Sequence, residues 1–279
     1  MGEVVRLTRE HQDSVSAFLA TSPIENVLVM DRILEDGLPG KPYQEFVGYR
    51  EAGQWLGIMY FSGDISLFAP EERAIRPLAE YALHRTPLVP RIIARKETVD
   101  RFWEIFGTIK LPLLFDRRQL VYGMSLADLK APPEPALRLA RLDEAHAVAR
   151  LASAMSFEEI MLDPYKDYPA SYLRLVEQRI RLERYWVLED DGQIKFQVHL
   201  NGVTAFAGQV TGVYTPPAFR HQGYAGRGMG EFCRQVLERV PQLCLFVNDF
   251  NLPAIRLYEK LGFQPLMEYR AIFLDGRRV

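Results

Sequence analysis

Polar and apolar positions alternate in blocks along this chain, and the blocks change period. In the C-terminal half, residues 137–142 (LRLARL) read as a strand and 144–155 (EAHAVARLASAM) as a helix, with Asp143 placed to cap it. Residues 171–183 (SYLRLVEQRIRLE) keep a helical period, with Leu173, Val176, Ile180 and Leu182 near one face. The run 185–200 (YWVLEDDGQIKFQVHL) predicts two strands joined at an Asp-Gly turn. A strand without charge follows at 203–215 (VTAFAGQVTGVYT). The next helix carries an apolar stripe at Met229, Phe232, Cys233, Val236 and Leu237, spaced i, i+3, i+4, i+7, i+8. A short buried strand at 243–247, a helix at 252–261 stopped by Gly262, and a strand at 269–274 close the order β-α-α-β-β-β-α-β-α-β.

The N-terminal half echoes that order. Residues 11–20 predict a helix, and 45–61 a hairpin turned at Glu51, Ala52 and Gly53. The runs 65–83 and 90–106 each predict a strand followed by a helix. Between the halves, LKAPPEPALRL (129–139) holds Pro132, Pro133 and Pro135, which oppose helix and favour extended chain. The expected division is residues 1–130 and 136–279.

Composition narrows the class. The chain has 279 residues, 48% of them hydrophobic, enough for a sizeable core. Lys and Arg number 34 against 36 Asp and Glu, so no basic excess suggests a nucleic-acid surface. Cys233 and Cys244 supply neither a disulfide framework nor a metal-ligand cluster, and the expected metal is none. The opening MGEVVRLTREHQDS is too polar for a signal peptide, and no apolar run approaches the ~18 residues of a membrane span. The expectation is a cytoplasmic protein, monomeric or homodimeric, without membrane or nucleic-acid partners.

The densest glycine cluster is FRHQGYAGRGMG (219–230). Gly223 and Gly228 have the spacing of a Walker loop, but Met229 stands where lysine is required. Gly226, Gly228 and Gly230 miss the dinucleotide fingerprint, because Glu231 holds the place of its third glycine. The pattern that fits is Q/R-x-x-G-x-G/A, read here as Arg220, His221, Gln222, Gly223, Tyr224 and Ala225. A strand that ends in such a turn aims several backbone N–H groups one way. The first turn of the helix then adds its own orphan donors and the positive end of its dipole. Such a nest suits a pyrophosphate, with Arg220 and Arg227 adding positive charge. The plain alternative is a glycine corner that packs a helix on a sheet.

Two stretches taken together, GQVTGVYTPPAFRHQGYA (208–225) and NLPAIRLYEKLGF (251–263), resemble the GNAT superfamily of acyl-CoA-dependent N-acyltransferases. The specific likeness is to the branch that includes the C-terminal region of glycine N-acyltransferases. It covers residues 136–275 and is strongest from Gly208 to Phe263. The resemblance implies an α/β fold with a mixed, mostly antiparallel sheet whose central parallel strands splay apart. The N-terminal half would be a degenerate GNAT-like domain, since its junction has no glycine: Pro70 suits the first helical turn there, and the carboxylates of Glu71 and Glu72 would repel a pyrophosphate.

The resemblance further implies that Thr211, Val213 and Tyr214 hold the pantetheine arm of acetyl-CoA by main-chain hydrogen bonds. The N–H groups from His221 through Gly226 would hold the pyrophosphate. Asn251 would bind the cofactor arm, although an asparagine there also suits a helix N-cap. Tyr258 matches the general acid near the CoA sulfur; otherwise it is an aromatic core residue. The expected reaction is acetyl transfer to a primary amine of a small metabolite or amino acid. Some relatives carry a glutamate base on the strand before the loop, where this chain has only Gln209. Glu158, Glu159, Asp163 and Asp167, on the segment between the first two helices of the C-terminal half, are the candidates, with Glu159 assigned the role; His199 is a further titratable group near a strand end. His221 replaces a common glycine, and its fit depends on whether its φ is positive. A non-catalytic acyl-CoA sensor or scaffold is the alternative reading.

Overall fold

The computed structural model describes residues 2–85, 91–108 and 111–275; Met1, and Pro90 at the head of an expected strand, lie outside them. The first part of the chain runs β1 (Gly2–Arg6), α1 (Gln12–Leu19), α2 (Pro23–Asp36), β2 (Glu45–Glu51), β3 (Gln54–Phe61), β4 (Asp64–Phe68), α3 (Glu72–Arg85), β5 (Arg91–Arg95), α4 (Lys96–Phe106) and β6 (Leu113–Met124). The second runs β7 (Leu137–Leu139), α5 (Ala145–Ile160), the single turn α6 (Pro164–Asp167), α7 (Pro169–Arg181), β8 (Tyr185–Asp190), β9 (Gln193–Val203), β10 (Gly208–Tyr214), α8 (Tyr224–Leu237), β11 (Leu243–Asn248), α9 (Leu252–Leu261) and β12 (Gln264–Leu274). Apart from α6, one order of elements occurs twice.

Two compact units emerge. One holds residues 1–122, 246–251 and 265–279; the other holds 123–245 and 252–264. The proline stretch 129–136 thus falls inside the second unit, and β12 groups with the first, where it pairs antiparallel with β5. In the first unit the strand order is β1-β2-β3-β4-β5-β12-β6. Helices cover both faces of these strands. Val47 and Met59 face α3 and α4 in a cluster with Leu78 and Phe102, while Phe46, Ile58 and Tyr60 pack with Val15 of α1 and Met30 of α2. Burial on both faces explains why β2 and β3 read as nearly continuous apolar runs.

In the second unit the order is β7-β8-β9-β10-β11, antiparallel except where β10 runs parallel to β11. The stripe predicted on α8 is buried at all five positions. It packs on the face of β9 that carries Phe196, with Trp186 edge-on to Phe232 at 5.0 Å. The opposite face packs against α5 and α7 through Val148, Ala149, Val176, Ile180, Tyr185 and Val187. Asp191 (φ 51°) and Gly192 (φ 70°) form the predicted tight turn between β8 and β9.

Three local expectations change. Asp143 does not cap α5; it lies in a 3-10 turn, and the side chain of Glu144 accepts the Arg141 N–H at 2.7 Å instead. Leu182 lies past the end of α7 and is exposed, so the apolar face stops at Ile180. Pro70 precedes α3 by two residues rather than opening its first turn.

Candidate active site

β10 pairs with β11 over three residues, Gly208↔Leu243 to Val210↔Leu245, and continues to Tyr214. Against β9 its register is broken between Thr211 and Tyr214 by a bulge. Gly212 makes the bulge, at φ +66°. A Cβ there would stand 2.1 Å from Nδ1 of His199. A glycine inside an otherwise β-branched run was the signal for this bulge, and sequence reading passed over it. The matching strand of the first unit, β4, pairs regularly with β3 and has no break.

The chain leaves β10 through Pro216 and a 3-10 turn at Pro217–Phe219, then enters the loop. Arg220 is extended, and His221 sits at φ +62°. His221 therefore does adopt the left-handed conformation, which histidine tolerates better than most residues. Its side chain is exposed. Gly223 caps α8 at φ +85°, and a Cβ built there meets nothing within 4 Å. The first bond of the helix runs from the Arg227 N–H to the Gly223 carbonyl, 3.1 Å. The N–H groups of Tyr224, Ala225 and Gly226 have no acceptor within the helix.

The charges around this turn are already organised. Arg220 donates through Nε to the Thr215 carbonyl at 3.0 Å and through Nη2 to Glu158 at 2.6 Å. Glu158 also accepts the Tyr214 hydroxyl at 2.8 Å, which ties the end of α5 to the end of β10. Burial, then this hydrogen bond, pushes the Tyr214 phenol up to about 12. Arg227 pairs with Glu134 at 2.8 Å. The Tyr224 hydroxyl donates to Asp190 at 2.6 Å, and Lys195 lies between that carboxylate and the rings of Phe219 and Tyr224. Gln222 folds its amide back onto the Ala218 carbonyl at 3.1 Å. Both expected cations thus carry a carboxylate partner, which leaves the helix terminus as the uncompensated positive element.

Tyr258 is buried on α9, edge-on to Phe263 at 5.8 Å. Burial raises its phenol far above the ordinary tyrosine value; the nearby carboxylate of Glu159 adds to the rise, as does Cys233. Two residues selected from the sequence, ~100 positions apart, therefore interact electrostatically. Asp163 is engaged elsewhere: it caps α6, accepting Ser153 Oγ at 2.6 Å and the Lys166 N–H at 3.1 Å, and the Ser153 bond holds its carboxyl below the usual range. Asp167 is exposed at the end of α6. Asn251 precedes α9 and donates its N–H to the Asn248 carbonyl at 2.9 Å; it groups with the first unit.

Among the described residues, no helix is long and apolar enough to cross a membrane, and no group of three or more His, Cys, Asp or Glu could hold a metal ion.

Solved structures share this architecture over the whole chain. A Drosophila protein from a structural genomics consortium is 14% identical, with a TM-score of 0.71 and 98% of each chain covered. A tandem GNAT protein from the clavulanic acid biosynthesis pathway is 13% identical, TM-score 0.60, with 99% of each chain covered. An acetyltransferase of the GNAT family from Colwellia psychrerythraea is 10% identical, TM-score 0.60, covering 98% of this chain and 99% of that one. No curated protein matches the sequence. The duplicated order and these likenesses define a tandem GNAT-like fold. Residues 154–263, which contain α7, β8–β11, the loop and α9, match the model of the acetyltransferase (GNAT) family.

Proposed function

We propose that the second unit transfers an acetyl group from acetyl-CoA to a primary amine of a small metabolite or amino acid. The observation that carries this reading is the corner at Gly223. There an open left-handed glycine heads a helix whose first N–H groups lack internal acceptors, one turn after a bulged strand. Those features fit a pyrophosphate with an extended arm: the nest takes the anion, and the backbone of Thr211, Val213 and Tyr214 is available as a strand-like partner.

Acetyl-CoA would supply the activated acyl thioester. The residues of the chain would do the rest. A main-chain N–H at the bulge, that of Val213, points to oxyanion stabilisation. Tyr258 is neutral at physiological pH and can donate a proton to a departing thiolate. Glu159 is the carboxylate assigned to take a proton from the amine, since a free ammonium with a pKa near ~10 must lose one before attack. The likeness of 208–225 and 251–263 to glycine N-acyltransferases supports a small amine acceptor. The first unit has a regular β4 and Glu71 and Glu72 beside its helix start, which supports a non-catalytic role for it.

Calorimetry with acetyl-CoA, paired with thiol release in the presence of an amine panel, tests the reading. Gly223→Glu places a carboxylate in the nest at a strained φ and should abolish acetyl-CoA binding while the chain stays folded. Unchanged affinity in that variant would refute the placement of the pyrophosphate.

A further inference from the structure

Helices cover the two faces of the first unit's sheet unequally. Ile92, Ala94 and Ile272 pack with α3 and α4. On the other face, the cluster built by α1 and α2 takes side chains from β2, β3 and β4 and includes none from β5, β12 or β6. Alternation along β5 puts Arg91, Ile93 and Arg95 on that second face. Phe273 stands opposite Arg91 in the β5–β12 register, and the ring of Phe115 meets Phe273 edge-on at 6.0 Å. Phe115 and Arg117 of β6 therefore lie on the same face.

The cations of these strands differ in their partners. Arg91 pairs with Asp64 at 2.5 Å, and Arg95 pairs with Glu25. On the α3 and α4 face, Arg118 is held by Glu268 and Asp249, and Arg270 by Asp100 and Asp116. Arg117 has no carboxylate partner among the described residues. Its Nε is buried without an acceptor, and no hydrogen bond among those residues engages Nη1 or Nη2. What holds this side chain is aromatic: Cζ lies 4.7 Å from the ring centroid of Phe115 and 4.8 Å from that of Phe250. Phe250 follows β11, groups with the same unit and is 57% exposed; Arg117 is half-buried.

A guanidinium against aromatic rings keeps its charge and its in-plane donors. The rings offer those N–H groups no acceptor, so the Nη1–Nη2 edge presents two donors side by side. A carboxylate accepts both at once. The two rings already order the arginine, which lowers the entropy lost on binding. A single unpaired cation suits a monoanion. A phosphate dianion would keep a charge uncompensated, because Arg91 and Arg95 are already paired. The exposed ring of Phe250 beside the guanidinium lies at the surface, so a ligand reaches both without any movement of the fold.

We propose that Arg117, Phe115 and Phe250 bind a small organic carboxylate on the first unit. The carboxylate sits on the Nη1–Nη2 edge, and an apolar or planar substituent lies on the ring of Phe250. The first unit has no phosphate nest, and this site gives it a ligand of its own. The carboxylate belongs either to an acceptor amine or to a free acid that modulates turnover; the recognised group is the same.

Calorimetry on the full chain, without acetyl-CoA, compares benzoate and propionate with benzamide, propionamide and inorganic phosphate. Each carboxylate should bind about tenfold or more tightly than its amide, and benzoate more tightly than propionate. Arg117→Gln should remove carboxylate binding at unchanged acetyl-CoA affinity. Arg117→Lys, which keeps the charge and the stem but not the fork, serves if the glutamine variant misfolds and should lose most of the binding. Phe250→Ala should narrow the gap between benzoate and propionate. Amides that bind as well as the acids, phosphate that binds more tightly than benzoate, carboxylate affinity unchanged in a folded Arg117 variant, or no carboxylate binding at all overturns the site. Thiol release then separates the two sources. Benzoate competing with the amine, together with an Arg117-dependent preference for glycine over glycinamide, identifies an acceptor. Benzoate altering turnover of both amines without competing identifies a free acid. Because binding is read without acetyl-CoA, failure of the site and failure of the acetyl-transfer reading are separate results.

Discussion

The Cα of Gly212 rests against the imidazole of His199, so that a single added methyl would fall 2.1 Å from Nδ1 and 2.4 Å from Cε1. A loop-like φ inside a strand and a buried ring behind it therefore require each other. Gly212→Ala should lose stability twice, from the left-handed backbone, about 1–2 kcal/mol, and from overpacking, about 1–3 kcal/mol. Thermal unfolding should fall by roughly 5–15 °C. The double variant Gly212→Ala with His199→Ala removes the ring and should recover more than the sum of the single effects allows. Simple additivity would mean that the contact is not what fixes the bulge.

The remaining glycines of 219–230 divide by the same criterion. A Cβ at Gly226 finds only Leu257 Cδ1 at 3.7 Å, an ordinary contact, whereas at Gly228 it would lie 2.3 Å from the Phe196 ring. Gly226→Ala should stabilise α8 by up to about 1 kcal/mol and leave acetyl-CoA affinity unchanged, because that position offers only its N–H. Gly228→Ala should cost about 1–3 kcal/mol. Chemical denaturation of the two variants decides this; a loss at Gly226 as large as at Gly228 contradicts the division.

These residues also show what could be read from the sequence. The apolar stripe of α8, the Asp191-Gly192 turn and the stop at Gly262 (φ +110°) were legible because each depends on local periodicity or on a backbone conformation that few residues adopt. Gln197 is a polar residue in a predicted strand, and nothing local marks it as buried. Only the cover of α5 and α7 makes it buried, and that is a long-range fact. The ion pairs Arg220–Glu158 and Arg227–Glu134 join residues far apart in the chain, so sequence spacing counted both cations as free. β12 read as the closing strand of the second half, but its pairing with β5 depends on the first unit, which its own residues do not encode.

His199 gives the protein an acid-side sensitivity. Burial holds its pKa well below the ordinary 6.5, and Arg179 lowers it further. The groups that face it are Arg179 from α7, Tyr185 from β8 and the uncharged backbone of Gly212 from β10. Below pH ~6.5 the unfolded chain binds a proton that the native chain refuses, so stability is lost as pH falls. The expected slope from this residue is about 1.4 kcal/mol per pH unit. Urea titrations at several pH values should show His199→Gln flattening that slope between pH ~6 and ~5; the same slope in variant and native protein would place the proton uptake elsewhere.

Tyr258→Phe isolates the proposed acid. The phenol is buried, and burial together with Glu159 keeps it protonated well past the ordinary tyrosine value. Phenylalanine keeps the ring contact with Phe263 and removes only the hydroxyl, so affinity for acetyl-CoA should hold within about twofold while kcat falls roughly 100-fold, the scale of a lost general acid. Because the raised pKa keeps the acid form present at high pH, the native kcat profile should show no descending limb below pH ~10 from this residue. A limb near pH ~8–9 present in native and variant enzymes alike, with kcat unchanged by the substitution, would assign proton donation to another group and return Tyr258 to the core between α8 and α9.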